Sequence, residues 1–227
     1  MSVLVEHDKH FIIIGNVNAI TYKEFFPLIK SDKAWIGASI HSGDRKFYVP
    51  DDYPLNASGC GIDEDGRRFI CVKGVRWFTN LDLKQRHEEL ILVKRYNPEN
   101  YPTYDNYDAI NVDKTADIPC DYSGVMGVPI TFMDKYSPDQ FEIVGLVNGK
   151  DDLVDIDTTK DYSTWHENKI GVGLTGASGK KINGNPVLSG MPSKGCYFTN
   201  DDNDLTVYST YARIFIRNKH PEAPKRE

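Results

Sequence analysis

Two amide side chains, Asn16 and Asn18, stand just past a run of large apolar residues, at what would be the carboxyl end of a strand. Ligands of open α/β sheets gather at that edge, so amides there could hold a polar group of a bound molecule. The same pair could serve only the turn, because asparagine tolerates left-handed backbone and bonds its own main chain. Other chemistry-bearing residues are dispersed. His41, His87 and His166 have no spacing to a shared partner, which points to solvated or capping roles. Cys60, Cys71, Cys120 and Cys196 lack CxxC spacing, so reduced thiols are expected, with neither a zinc site nor a disulfide framework, and no metal.

The elements that must position these groups begin at once. Residues 11–14 are Phe-Ile-Ile-Ile, and such a β-branched run reads as a strand covered on both faces, as in a parallel sheet. Thr21, with Glu24 three residues later, has capping-box spacing and predicts a crossover helix over 21–30. Val3, Leu4 and Val5 fit the last turns of a helix whose beginning lies outside the sequence. The chain reads as starting in mid-fold.

With 227 residues, 40% of them hydrophobic, the chain can build one sizeable domain or a domain with an appendage. No apolar stretch reaches the roughly 20 residues of a membrane span, and the start of the chain lacks the pattern of a signal peptide. A cytoplasmic location and no membrane partner are the expectation. The net charge of −6 argues against a polyanionic partner only in total, because it is unevenly spread. Acids concentrate at Asp151, Asp152, Asp155, Asp157 and Asp161 and again at Asp201, Asp202 and Asp204, whereas Arg67, Arg68, Lys73, Arg76, Arg213, Arg217 and Lys219 supply local positive charge. A basic face on an acidic protein is compatible with that distribution.

Further along, residues 34–40 and 46–49 read as strands around a turn at 41–44, and 56–61 as a loop. Residues 68–72 and 73–80 follow as strands, and 90–93 as a short strand able to pair with the second of these. Between Tyr96 and Pro119 no period is sustained, and tyrosines at 96, 101, 104 and 107 alternate with Asn, Pro and Asp. A loop of that length is functional or disordered, and its tyrosines favour order. Residues 141–147 read as a strand, 148–205 as a polar surface insertion, and 208–217 as a closing strand before a frayed tail.

Several blocks together resemble one family: Phe-Ile-Ile-Ile-Gly-Asn-Val-Asn-Ala-Ile-Thr-Tyr-Lys-Glu at 11–24, Trp-Phe-Thr-Asn-Leu-Asp at 77–82, Tyr-Asp-Asn-Tyr-Asp-Ala-Ile-Asn-Val at 104–112, Asp-Ile-Pro at 117–119 and Gly-Val-Met-Gly-Val-Pro-Ile-Thr-Phe at 124–132. They resemble the adenine-specific modification methylases of the EcoRI type, from the start to about residue 147 and again over 211–219. The resemblance implies an α/β fold, the C-terminal part of a class I (Rossmann-like) S-adenosylmethionine-dependent methyltransferase sheet with a loop-rich target-recognition region. It implies methyl transfer from S-adenosylmethionine to N6 of adenine in double-stranded DNA. The family's catalytic Asn-Pro-Pro-Phe and its glycine-containing cofactor loop are missing: Asn97-Pro98 and Asn185-Pro186 lack the second proline. No catalytic residue is therefore assigned. The expected organisation is 1–95 as the C-terminal half of the sheet, 96–147 as the target-recognition region, 148–205 as a variable insertion, and 206–227 as final strand and tail.

In related enzymes an aromatic on a later strand stacks on the flipped base, since adenine must leave the duplex before its N6 can be reached. Trp77 and Phe78 match that position by order and type, although neighbouring strand residues face opposite sides. Asn16 and Asn18 would line the base pocket or brace the missing tetrapeptide. Tyr104, Asp105, Asn106, Tyr107 and Asn111 offer rings, amides and carboxylates suited to base edges, and Arg76 completes the expected DNA-recognition set. Arg67, Arg68 and Lys94 are candidate phosphate contacts.

The leading expectation is a part of a site-specific adenine methyltransferase of a restriction-modification system. It would supply pocket wall and recognition and be inactive without an upstream segment or separate chain carrying Asn-Pro-Pro-Phe. The alternative is a stand-alone DNA-binding protein or decayed remnant without catalysis. An unrelated small-molecule α/β enzyme is a third reading that rests on the sheet signal alone.

Overall fold

In a computed structural model of the chain, which describes residues 1–40, 43–56, 58–149, 153–202 and 204–223, the first apolar run forms strand β1 (Ile12–Asn16). His41, Ser42, Ala57, Asp151, Asp152 and the tail from residue 224 lie outside the described residues, and so do the parts of the expected turn, loop, acidic cluster and tail that include them. The chain divides into two units, Met1–Gln85 and Arg86–Glu227.

In the first unit a single turn, α1 (Ser2–Glu6), precedes β1. β1 is not the buried parallel strand that its composition implies. It is the edge of a three-stranded sheet of order β1-β6-β2, and it pairs antiparallel with β6 (Val75–Thr79). The physical reason is its period: alternate residues point outward, leaving Ile12 60% and Ile14 48% exposed. A run of isoleucines fits burial on one face as well as on two. The crossover helix over 21–30 is corrected as well. The chain passes through a 3-10 helix, Val17–Thr21, and only then a single turn, α2 (Phe26–Lys30), with a proline at its start. Pro27 is tolerated only in a first turn, where its missing N–H has no partner to lose, so a helix begun at Thr21 would have placed it in the interior. The capping box does not form; Thr21 Oγ1 instead donates to the carbonyl of Asn18.

β6 is the centre of this unit. Phe78 is fully buried, edge-on to Phe25 at a centroid distance of 5.1 Å. Gly15 lies against the Phe78 ring, and a Cβ there would stand 3.0 Å from it. Thr79 Oγ1 donates to the carbonyl of Phe11, and Asn80 Oδ1 accepts from the N–H of Phe11, which pins the entry to β1. The strand predicted over 34–40 shrinks to β2 (Trp35–Ile36) on the other side of β6. A second sheet, of order β3-β5-β4, holds β3 (Arg45–Tyr48), β4 (Cys60–Ile62) and β5 (Arg68–Val72).

The second unit is built on a sheet of order β7-β8-β15-β9, from β7 (Ile110–Asn111), β8 (Met126–Pro129), β9 (Phe141–Val147) and β15 (Arg213–Asn218). β7 and β8 are parallel, whereas β15 runs antiparallel to both neighbours. Residues 90–93 do not pair with β6. They are irregular, with Ile91 and Val93 exposed, and the Gln140 side chain holds both the N–H and the carbonyl of Leu90. The region 148–205 is more than a surface insertion. It supplies β10 (His166–Lys169), β11 (Gly173–Ser178), β12 (Val187–Ser189) and β13 (Cys196–Thr199), which join β14 (Thr206–Ser209) in a sheet of order β11-β10-β13-β14-β12. Tyr162, Ile182, Val187, Phe198 and Val207 form its core. The single closing strand over 208–217 is two strands in different sheets, broken where Thr210 donates through N–H and hydroxyl to the carbonyl of Pro186.

Among the described residues the architecture is mixed α/β and strand-rich, with two one-turn α-helices. None of its helices is long and apolar enough to cross a membrane.

Candidate functional site

The alternation of β6 separates the two aromatics. Phe78 points into the core with no face left for a base, while Trp77, opposite Ile14, points the other way and stays half-buried. Trp77 lines an open cavity of about 340 Å³ with Ile12, Gly37, Thr79, Leu81 and Leu83 among its neighbours. That volume is at the lower end of small-ligand sites, and the lining is apolar with hydroxyls from Ser39 and Thr79. Gly37 shapes the wall, because a Cβ there would come 3.1 Å from the Trp77 Cβ. Such a slot suits a flat, largely apolar ring with a polar edge. The sequence carried a signal for this wall: Trp77, Thr79 and Leu81 recur with period two in one block.

Asn16 and Asn18 are not among the residues lining that cavity. Asn16 caps the 3-10 helix, its Oδ1 accepting from the N–H of Asn18 at 3.0 Å while its Nδ2 donates to the carbonyl of Lys73 at 2.9 Å. The side chain of Asn18 is exposed. Arg76 is buried, with Nη1 donating to the carbonyl of Val75. Arg67 sits over the Tyr48 ring at 4.3 Å and is paired with Asp63 and Asp65. Burial would raise the Asp63 carboxyl, but hydrogen bonds from the Arg67 backbone and side chain outweigh it and hold the pKa at about 2. Arg68 donates to the carbonyl of Tyr53.

In the second unit the residues expected to read bases turn inward. Tyr104 stacks on Phe215 and donates its hydroxyl to Asn111 Oδ1 at 2.7 Å, and Tyr107 donates to the carbonyl of Gly184 at 3.0 Å. Asn106, fully buried, accepts from the N–H of Val187 and donates to the carbonyl of Asn185. Asp105 accepts from Lys160, Tyr162 and Ser189. Burial drives the Tyr104 and Tyr162 hydroxyls well above the ordinary tyrosine range, so both stay protonated donors. The loop thus fastens the two sheets of this unit. Asn111 also accepts from Arg213 Nε at 3.3 Å, which sets the arginine on the floor of a groove. Lys94 is exposed and lines a polar cavity of about 330 Å³ with Arg95, Asp113 and Asp117. His87 and His166 each meet one exposed carboxylate, of Asp139 and Asp201, while His41 lies outside the described residues.

No solved structure matches the chain. Among curated proteins it is 51% identical to the type II methyltransferase M.EcoRI of Escherichia coli over 151 residues, 66% of this chain and 46% of that protein. It is 35% identical to the type II methyltransferase M.MpnI of Mycoplasma pneumoniae over 172 residues, 74% of this chain and 54% of that protein. The chain spans about half the length of these relatives. The family model of the adenine-specific methyltransferase EcoRI matches residues 1–219, so the chain belongs to that family.

Proposed function

We propose that this chain is the part of a site-specific DNA adenine-N6 methyltransferase of a restriction-modification system that walls the target-base pocket and contributes to DNA recognition. The observation that carries this reading is the Trp77 cavity over the face of the β1-β6-β2 sheet, which Ile12 of the edge strand β1 helps to line. Stacking on Trp77 would hold a flipped adenine, and base–aromatic stacking contributes about 1–3 kcal/mol per base. Ile12 and Ile14 are exposed beside it on an edge strand with unpaired backbone groups, which is a template for another strand. A segment carrying Asn-Pro-Pro-Phe, in the same polypeptide or another, would add to this edge. The pairing would extend the sheet toward the class I methyltransferase arrangement that the family resemblance implies.

S-adenosylmethionine is the methyl donor the family implies, and the Trp77 cavity does not fit it. Among the described residues no carboxylate lines the cavity to receive ribose hydroxyls or the amino group. The family's cofactor loop is missing from this sequence, and no step of the transfer is routed through the residues of this chain. Their work is to stack on the base and exclude water from it.

The test is methyl transfer from labelled S-adenosylmethionine to duplex DNA. The purified chain alone is expected to be inactive and to gain activity when the segment carrying Asn-Pro-Pro-Phe is supplied. Transfer by the chain alone would refute the dependence.

A further inference from the structure

We propose that a second surface, the groove around Arg213 in the Arg86–Glu227 unit, seats a phosphodiester segment of the DNA flanking the target, with Tyr211 stacking on a neighbouring unpaired base. This rests on the reading of the chain as part of a DNA methyltransferase. The groove has a volume of about 680 Å³. Among its charged lining residues Lys181, Lys194 and Arg213 face a single carboxylate, Asp113. Lys181 also pairs with Glu167, outside the lining. These cations come from three separate segments: the 3-10 helix Gly179–Ile182, the loop between β12 and β13, and the start of β15.

Arg213 is 9% exposed and its guanidinium is fixed by Asn111 through Nε and by Asp113 through Nη2, at 3.3 and 3.4 Å. A planar fork held in this way is prepared for two hydrogen bonds to a phosphate, because its rotamer entropy is already lost. Lys194 rides an exposed loop bounded by Gly190 and Gly195, whose positive φ angles of 105° and 96° let the chain turn back over the groove. The hydroxyl of Ser193 adds a further donor.

Tyr211 is 90% exposed, shortly before Arg213 in the chain and outside either hydrophobic core. A tyrosine ring left in water at the mouth of a cationic groove contributes nothing to packing. It does offer a stacking face to a base displaced when its neighbour leaves the duplex. Cations for the backbone and an aromatic for the base form the combination that binds unpaired nucleic-acid strands.

Anisotropy of a labelled duplex with one unpaired base, titrated with the full chain across a salt series, tests this. Lys194→Ala and Tyr211→Ala both alter exposed side chains, and thermal melts check that each variant folds. Lys194→Ala should lower the slope of log K against log salt by about one. Tyr211→Ala should weaken binding about 5- to 150-fold. Wild-type binding that neither variant changes would overturn this inference and leave the function above standing. No DNA binding by the wild-type chain even at low salt would overturn this inference, while the reading above is decided separately by methyl transfer with the segment carrying Asn-Pro-Pro-Phe supplied. Displacement of the duplex by inorganic phosphate at micromolar concentration would assign the groove to a small anion instead.

Discussion

Arg213 donates through Nε to Oδ1 of Asn111, a residue 102 positions earlier in the chain. The same oxygen accepts the buried hydroxyl of Tyr104 at 2.7 Å, and Asn111 Nδ2 donates to Asp113 at 2.9 Å. One amide thus couples the loop, β7 and β15. Asn111→Ala leaves a buried hydroxyl and the Nε of a largely buried guanidinium without their acceptor, which costs about 1–3 kcal/mol for each unsatisfied group. Urea unfolding should show that loss at unchanged m, and DNA affinity should fall because Arg213 is no longer aimed.

Asp105 makes the second unit acid-sensitive. Burial alone would raise its carboxyl, but hydrogen bonds from Lys160 and Tyr162, the lysine's charge and a bond from Ser189 prevail and hold it below the ordinary aspartate value. A carboxyl with a lowered folded pKa lends stability above its unfolded pKa of about 4, and that stability disappears as pH falls through the folded value. The urea midpoint of the wild type should therefore drop on acidification below about pH 4 more steeply than that of Asp105→Asn. Equal slopes would show that the Lys160–Asp105 pair, 2.7 Å apart, has no net effect.

Gly127 is required by contact rather than by backbone angle. A Cβ on it would lie 2.5 Å from the Tyr104 hydroxyl and 2.9 Å from the Phe215 ring. Both neighbours belong to the packed core, so neither yields easily. Gly127→Ala should cost about 1–3 kcal/mol as overpacking, read as a lowered melting temperature of the second unit. Gly66 is the opposite case: a Cβ there would meet nothing within 4 Å, but its φ is 79°, so Gly66→Ala should be felt only through backbone strain.

What the sequence disclosed was local. The first apolar strand, the block at 77–82 and the order of the tyrosine loop are all visible in composition, and period two by itself places Trp77 and Phe78 on opposite faces. What it could not disclose were partners. Asn106 looks like a base-reading amide until Val187, 81 residues later, is seen to donate to it. Residues 148–205 look like loop because the strands of their sheet expose much of their length and so carry little apolar period: in β11 only Ala177 is even half-buried. Leu90 to Val93 has the composition of a strand, but Gln140 takes the backbone groups of Leu90 and removes the need for one.

Trp77 and Phe78 differ by one position and should differ completely in phenotype. Phe78 fills the core against Phe25 and Gly15, so Phe78→Ala removes a large buried ring and should cost about 3–5 kcal/mol of stability. Trp77 is half-buried and borders open space, so Trp77→Ala should cost distinctly less stability. If its ring is the stacking surface, the same substitution removes about 1–3 kcal/mol of base binding. With 2-aminopurine at the target adenine, the wild-type complex reconstituted with its catalytic segment should quench the flipped base by stacking. Trp77→Phe should preserve most of that quenching and Trp77→Ala should abolish it. A Trp77→Ala complex with unchanged fluorescence and affinity would return Trp77 to the role of simple wall, because stability alone cannot distinguish a ring that packs from a ring that receives a base.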